Sequence, residues 1–219
     1  MTTPMTLNIR SWNLNGLYDG NYSHPDFSHF FDSVDVFLTQ ETHCYVHDNI
    51  PVPDSYVVYT RSCSRPDFAS PWGGVAMLIH SSIPAHVRDD FSSPDLLTVE
   101  IFGTLIMNAY VLPARSHLDW NKWTTTELFE FLCSKICLAH EQGYLLILLG
   151  DLNAQTGICC ASKDHPIRIS LDSRLADTCG KQLLDCLAPC DTIILNGSEG
   201  VPGDHFSFTE HTPHDAGAL

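Results

Sequence analysis

Over residues 7–13 apolar and polar side chains alternate, the period-two pattern of a half-buried strand that ends at Asn13. Gly16 and Gly20 then break the chain into a loop. Phe27, Phe30 and Phe31 recur at i, i+3 and i+4, which predicts a short helix with Asp26 as its cap. Residues 34–39 form a compact apolar run, read as a buried strand that delivers Gln40, Glu41 and Thr42 at its end. Residues 56–60, 74–79, 97–102 and 105–111 are further strands, the last two joined by a tight hairpin at Gly103-Thr104. Prolines and paired glycines over 61–74 make that stretch a loop.

The period then lengthens. Thr124 and Glu127 form a capping box, and Leu128, Phe131, Leu132, Ile136 and Ala139 line one helical face until Gly143 stops it. Residues 144–149 are the most apolar strand of the chain and run straight into Gly150-Asp151-Leu152-Asn153. A second helix is predicted over 180–187, with Leu183, Leu184 and Leu187 inward. Strands at 192–195 and 206–209, with a turn at Asn196-Gly197 between them, complete the pattern. Many short strands, few helices, no internal repeat and no linker predict one domain over 1–219. The architecture expected is an α/β sandwich, two packed sheets with helices on the outside.

Composition narrows the class. With 44% hydrophobic and 17% charged residues, the 219-residue chain suits a globular fold around a single core. Lys and Arg number 11 against 26 Asp and Glu, and the formal charge of −15 excludes a surface that grips nucleic acid by phosphate neutralisation alone. A metal-bridged phosphate stays open, because the cation then supplies the positive charge. There is no signal-peptide h-region and no apolar run of the ~18 residues a transmembrane segment needs. The nine cysteines therefore read as reduced thiols of an intracellular protein, cytoplasmic or nuclear, with no membrane partner.

Candidate chemistry gathers at strand ends. Asn13 with Asn15, Gln40 with Glu41, Asn108 with Tyr110, and Asp151 with Asn153 each lie at or close to the end of an apolar strand. Any one of them alone reads as a turn residue or a helix cap. Together, at one rim of a sandwich, they can converge on a single cleft. Carboxylate and amide oxygens suit a hard cation, and Mg²⁺ typically takes one or two carboxylates plus waters and substrate phosphate. Glu41 and Asp151 match that number. Asn13 and Asn153 can hold a carboxylate or a water without adding repulsion.

The words these residues spell carry a resemblance. Trp12-Asn13-Leu14-Asn15-Gly16-Leu17, Gln40-Glu41-Thr42-His43, Gly73-Gly74-Val75-Ala76, Asn108-Ala109-Tyr110 and Gly150-Asp151-Leu152-Asn153-Ala154 stand in order along the chain. They resemble the successive signatures of the endonuclease/exonuclease/phosphatase superfamily. Residues 150–157 with Leu195-Asn196-Gly197 and Phe206-Ser207-Phe208-Thr209 are most similar to the apurinic-type endonuclease domain of LINE-like (non-LTR) retrotransposons. The resemblance implies a DNase I-like, four-layer α/β sandwich of two packed mixed β-sheets with outer helices. It implies a metal-dependent phosphodiester hydrolase, a DNA endonuclease, with Mg²⁺ as cofactor and Mn²⁺ as a substitute.

By the same resemblance Glu41 binds the metal, with Asn15 and Asp151 as further ligands and Asn13 nearby. Asp151 orients or deprotonates the attacking water, and Asn153 helps hold it and the phosphate. Tyr110 contacts the scissile phosphate, and Phe208 lines the pocket beside a flipped or abasic sugar. Three positions depart from the pattern. Asn15 stands where many relatives have Asp, and the Val111-Leu112-Pro113-Ala114 stretch lacks the Asn that often follows the Tyr. A late-strand Asp and a closing Ser-Asp-His motif are absent, and His205, His211 and His214 read as loop histidines. The expectation is therefore a domain incomplete at its C-terminus, with last strands missing and 195–219 a partly irregular tail. Two other readings stay open: a phosphoesterase for nucleotides, sphingolipids or inositol phosphates, and a non-catalytic relic or binding protein. Cys133, Cys137 and His140, at i, i+4 and i+7, read as two buried thiols and a neighbour rather than a zinc site.

Overall fold

The computed structural model describes residues 6–16, 34–45, 47–50, 52–62, 72–113, 128–159, 168, 175–190 and 192–196. The chain divides into two units, Met1–Asn153 and Ala154–Leu219. Among the described residues the first holds eight strands: β1 (Ile9–Asn13), β2 (Val36–Gln40), β3 (Tyr56–Arg61), β4 (Val75–His80), β5 (Ala85–Val87), β6 (Leu96–Ile101), β7 (Thr104–Tyr110) and β8 (Leu145–Asp151). They form two four-stranded sheets, in the orders β1-β2-β4-β3 and β5-β6-β7-β8. Each sheet is mixed. In the first, β1 and β2 run parallel and β4 is antiparallel to both β2 and β3. In the second, β7 and β8 run parallel, while β5, β6 and β7 pair antiparallel in sequence.

Alternation fixes which side chains meet between the sheets. Val36 and Leu38 of β2, with Val75, Met77 and Ile79 of β4, point to one side of the first sheet. They pack against Leu97, Val99 and Ile101 of β6 and against Ile106 and Tyr110 of β7. Each such aliphatic side chain, fully buried, contributes about 1.5–3 kcal/mol. The opposite side of the first sheet is also buried, with Phe37, Ala76 and Leu78 packed among Val34 and Ile50. β2 is thus covered on both faces, which is why its sequence shows an apolar run instead of alternation.

α1 (Leu128–Glu141) lies against β8 and buries Leu132, Ile136 and Ala139 on one face. It ends where expected: Gly143 takes φ +74, and its N–H donates to the His140 carbonyl. Cys133 of this helix is half-buried and disulfide-bonded, a departure from the reading of it as a buried, reduced thiol. Its place beside the buried stripe, rather than in it, leaves the sulfur at the helix border. Among the described residues no helix is long and apolar enough to cross a membrane.

The second unit holds α2 (Thr178–Leu187), capped by the Asp177 carboxylate, which accepts the Gly180 N–H at 2.6 Å. Leu183 and Leu187 are buried, as is Cys186, which is disulfide-bonded. Residues 192–195 form no strand, contrary to the sequence pattern, and Ile193 and Leu195 are exposed. β-propensity depends on context, and local preference alone does not make a strand. The sequence pattern also missed β5 and a 3₁₀ turn, Asp89–Phe91, both three residues long and too short to show a period. The hairpin turn falls at Phe102-Gly103, one residue earlier than expected, with φ of +51 and +77. The helix expected near Phe27 and the strand expected over 206–209 lie outside the described residues.

Candidate active site

Two parallel pairs set the geometry. β1 and β2 end together, with Asn13 paired to Gln40, and β7 and β8 end together, with Tyr110 paired to Asp151. All four ends are C-terminal, so the loops that follow them share one rim of the sandwich.

Asn13 joins the sheets. Its Nδ2 donates to Glu41 Oε1 at 2.7 Å and to Asp151 Oδ2 at 2.8 Å. Two carboxylates from opposite sheets thus share one amide nitrogen, which separates their charges without adding a third. The Asn13 Oδ1 accepts the Asn15 N–H at 2.9 Å, an Asx turn that holds the chain in a left-handed bend with Asn15 at φ +48. The same device recurs on β8. Asp151 Oδ1 accepts the Asn153 N–H at 3.1 Å, and Asn153 sits at φ +43 with its Nδ2 on the Val111 carbonyl at 2.8 Å.

Glu41 and His43 both take φ +51. Four of the six described non-glycine residues with positive φ therefore lie in the loops that follow β1, β2 and β8. Such backbone costs of order 1 kcal/mol or more per residue and persists only when its surroundings enforce it. Here they do. The Gly16 N–H donates to the Glu41 carbonyl at 2.7 Å, and the Thr42 and His43 N–H groups donate to the Gly74 and Gly73 carbonyls at 3.1 and 2.9 Å.

Below the carboxylates a polar layer ties the sheets together. The Asn108 Oδ1 accepts from Gln40 Nε2 at 2.6 Å, and the Asn108 Nδ2 donates to the Thr39 and Ala76 carbonyls at 3.0 and 2.9 Å. Gln40 Nε2 also donates to Ser11 Oγ at 3.0 Å. Asn108 is fully buried with both ends of its amide satisfied, so the layer is rigid.

The electrostatics follow from these contacts. His43 Nε2, 3.4 Å from Glu41 Oε2, holds the Glu41 carboxyl below the usual carboxylate value. Burial opposes that shift, and hydrogen bonds from Asn13 and Tyr110 reinforce it. Burial pushes the Tyr110 phenol well above its ordinary range, and the charge of Glu41 and its hydrogen bond to that carboxylate push the same way. Tyr110 is therefore a neutral donor next to an ionised acid.

Of the residues singled out in the sequence, Asn13, Glu41, Tyr110, Asp151 and Asn153 come together at this rim. Asn15 is exposed on the turn beside them, and Phe208 lies outside the described residues. His43 and Asp95 were not singled out. His43 sits within a quoted word, two residues from Glu41. Asp95 had no local signal, being an acid after a proline ahead of a strand. Among the described residues no group of three or more His, Cys, Asp or Glu side chains is placed to hold a metal ion. The donor set still fits a hard divalent cation. An ionised Glu41 and Asp151 are the two carboxylates that Mg²⁺ typically takes, with water and phosphate as its remaining ligands.

Comparison with known proteins bears on this arrangement. The sequence model of the Endonuclease/Exonuclease/phosphatase family matches residues 11–197. No curated protein sequence matches the chain. The structure is similar to the endonuclease domain of TRAS1, a telomere-specific non-LTR retrotransposon. That match has a TM-score of 0.52 and 14% identity over 84% of this chain and 71% of that one. It is also similar to the 3′ phosphatase NExo from Neisseria bound to product DNA hairpin, with a TM-score of 0.51 and 19% identity over 83% and 71% of the two chains. At these identities the likeness is one of fold, and the DNase I-like sandwich of two packed mixed sheets expected from the motifs is the fold observed. With the model matched over most of its length, the chain belongs to the endonuclease/exonuclease/phosphatase family, and by that membership it is a hydrolase of phosphate esters.

Proposed function

We infer that this chain is a Mg²⁺-dependent DNA endonuclease of the retroelement kind, with its reaction centre between Glu41 and Asp151. The observation that carries the reading is the Asn13 amide shared by these two carboxylates, each contributed by the end of a different sheet. A pair held this way has part of its mutual repulsion offset by the shared amide, and Glu41 stays ionised to meet a cation. A bound Mg²⁺ or Mn²⁺ supplies charge stabilisation on the phosphoryl oxygens and the leaving group.

The protein's own groups do the rest. Asp151, fixed through both oxygens by Asn13 and Asn153, aligns a water for in-line attack and takes its proton. On substrate binding the neutral Tyr110 phenol turns its one O–H from Glu41 to a phosphoryl oxygen, and Asn153 steadies the phosphate beside it. On the family resemblance alone, Asn15 is assigned to the metal and Phe208 to the sugar pocket. The family match runs across both units, which supports reading residues 1–219 as one domain. DNA as substrate is supported by the two structural relatives, one an endonuclease domain and one bound to product DNA.

The deciding experiment is nicking of supercoiled and abasic-site DNA with Mg²⁺, Mn²⁺ or EDTA, by the parent chain and by Glu41→Ala. Nicking lost in EDTA and reduced by about 100-fold or more in the variant is expected, the scale for removing a group that stabilises the transition state. A folded parent that leaves DNA intact but cleaves nucleotides or inositol phosphates would move the substrate and keep the centre. A parent silent on every phosphoester would overturn the reading.

A further inference from the structure

Asp95 lies in the turn before β6, beside the end of β7, and it is completely buried. Its backbone is left-handed, at φ +58. Its Oδ1 accepts the Gly74 N–H at 2.6 Å, and its carbonyl accepts the Tyr110 N–H at 2.9 Å. Gly74 and Gly73 are the residues whose carbonyls receive the Thr42 and His43 N–H groups, the two residues after Glu41. One residue of the second sheet therefore grips Tyr110 directly and, through a glycine pair of the first sheet, the bend that carries Glu41.

Neither contact is needed merely to make the turn. An Asn or Gly takes φ near +58 without burying a carboxylate, and burying one is costly unless it is well bonded. Gly74 is also closely packed. A Cβ at Gly74 would come within 2.6 Å of Thr42 Oγ1, so the pair packs tightly under the Glu41 bend. After burial and Glu41, the Asp95 charge is a further cause that keeps the Tyr110 phenol protonated.

We propose that Asp95 is a positioning residue for the hydrolysis inferred above: it clamps Gly73-Gly74 beneath the Glu41 bend and fixes Tyr110 opposite. The inference rests on that reading of the site, and it acts through backbone contacts without touching substrate. Removing the clamp displaces Glu41 relative to Tyr110, and a shift of about 1 Å at a reacting group lowers turnover by up to about 100-fold.

The test uses the full chain as parent, Asp95→Ala and Asp95→Asn, with Mg²⁺-dependent DNA nicking as the first readout. Asp95→Ala is expected to lose about 10- to 100-fold in kcat with KM within about twofold. Asp95→Asn, which keeps an oxygen for the Gly74 N–H, is expected to recover most of the loss. Parental kcat in Asp95→Ala overturns the proposal, as does a rate that only tracks the folded fraction and that Asp95→Asn fails to restore. The second readout needs no activity. Amide hydrogen exchange in metal-free protein is expected to quicken by about tenfold or more at Thr42, His43 and Gly74 in Asp95→Ala, with Leu38 and Met77 unchanged. If the parent cleaves no phosphoester, the hydrolase reading fails and exchange alone judges the clamp. Quickening confined to those three amides supports it, and parental or uniformly faster exchange overturns it.

Discussion

Asn13 and Glu41 show how much of the site depends on single side chains. Asn13 gives both hydrogens of its amide to ionisable acids, so Asn13→Ala removes two charge-assisted bonds and leaves the carboxylates facing each other. We expect that variant to lose about 2–4 kcal/mol of stability in EDTA, measured by urea unfolding, and to regain part of it in millimolar Mg²⁺. A loss under about 0.5 kcal/mol would mean that water replaces the amide without cost. Glu41 adds a pH dependence. The His43 contact, with Asn13 and Tyr110 behind it and burial against it, depresses its folded-state value below the ordinary 4.5. A depressed carboxylate contributes stability that is fully present above its unfolded value and is lost as pH falls through the lower folded value. The parent's Tm should therefore drop below about pH 4.5, and Glu41→Gln should flatten part of that drop. Superimposable acid limbs in the two proteins would show that Glu41 is not depressed.

Gly150 carries the corresponding constraint at the level of the β7–β8 pair. It opposes Ala109 in parallel register, sits at φ +134, and an added Cβ would fall 2.0 Å from the Ala109 carbonyl oxygen. Gly150→Ala thus forces β8 away just before Asp151. Strain and overpacking together are expected to cost about 3 kcal/mol or more, and nicking should fall further than stability alone requires. Gly103→Ala is the control. That glycine also has positive φ, but nothing lies within 4 Å of its Cβ position, so about 1 kcal/mol is expected. Equal Tm losses in the two variants would show that φ, and not the close approach to β7, decides. These elements were legible in the sequence because each leaves a local mark. β1 opens on an alternation that breaks at Ser11 and the exposed Trp12, β2 and β8 are apolar runs, and Gly150-Asp151 marks where one of them stops. Asp95 left no such mark, because its role is a hydrogen bond to Gly74, 21 residues away on the other sheet. The 192–195 stretch failed for the opposite reason: its β-branched residues have local propensity, yet Ile193 and Leu195 are exposed, and strand formation is set by context more than by propensity.

For the whole molecule, a charge of −15 with only 11 basic residues must be reconciled with a polyanionic substrate. A protein that holds DNA through six to ten Lys or Arg contacts loses roughly 10³- to 10⁵-fold in affinity between 50 and 200 mM salt, because each contact releases a counterion. With 26 acids to its 11 cations, this chain is not expected to bind mainly that way. Its net negative charge repels the duplex within about a Debye length, and salt relieves that repulsion as it weakens the attractive contacts. If a divalent cation between Glu41 and Asp151 supplies the positive charge, the dependence on monovalent salt should be shallow, equivalent to about two phosphate contacts and no more than about a tenfold rise in KM over that range. The dependence on divalent metal should be steep, with EDTA removing binding as well as cleavage. Steady-state nicking of one plasmid across both titrations measures the two slopes together. A steep monovalent slope would mean that a basic surface grips the DNA and would take that role from the Glu41–Asp151 centre.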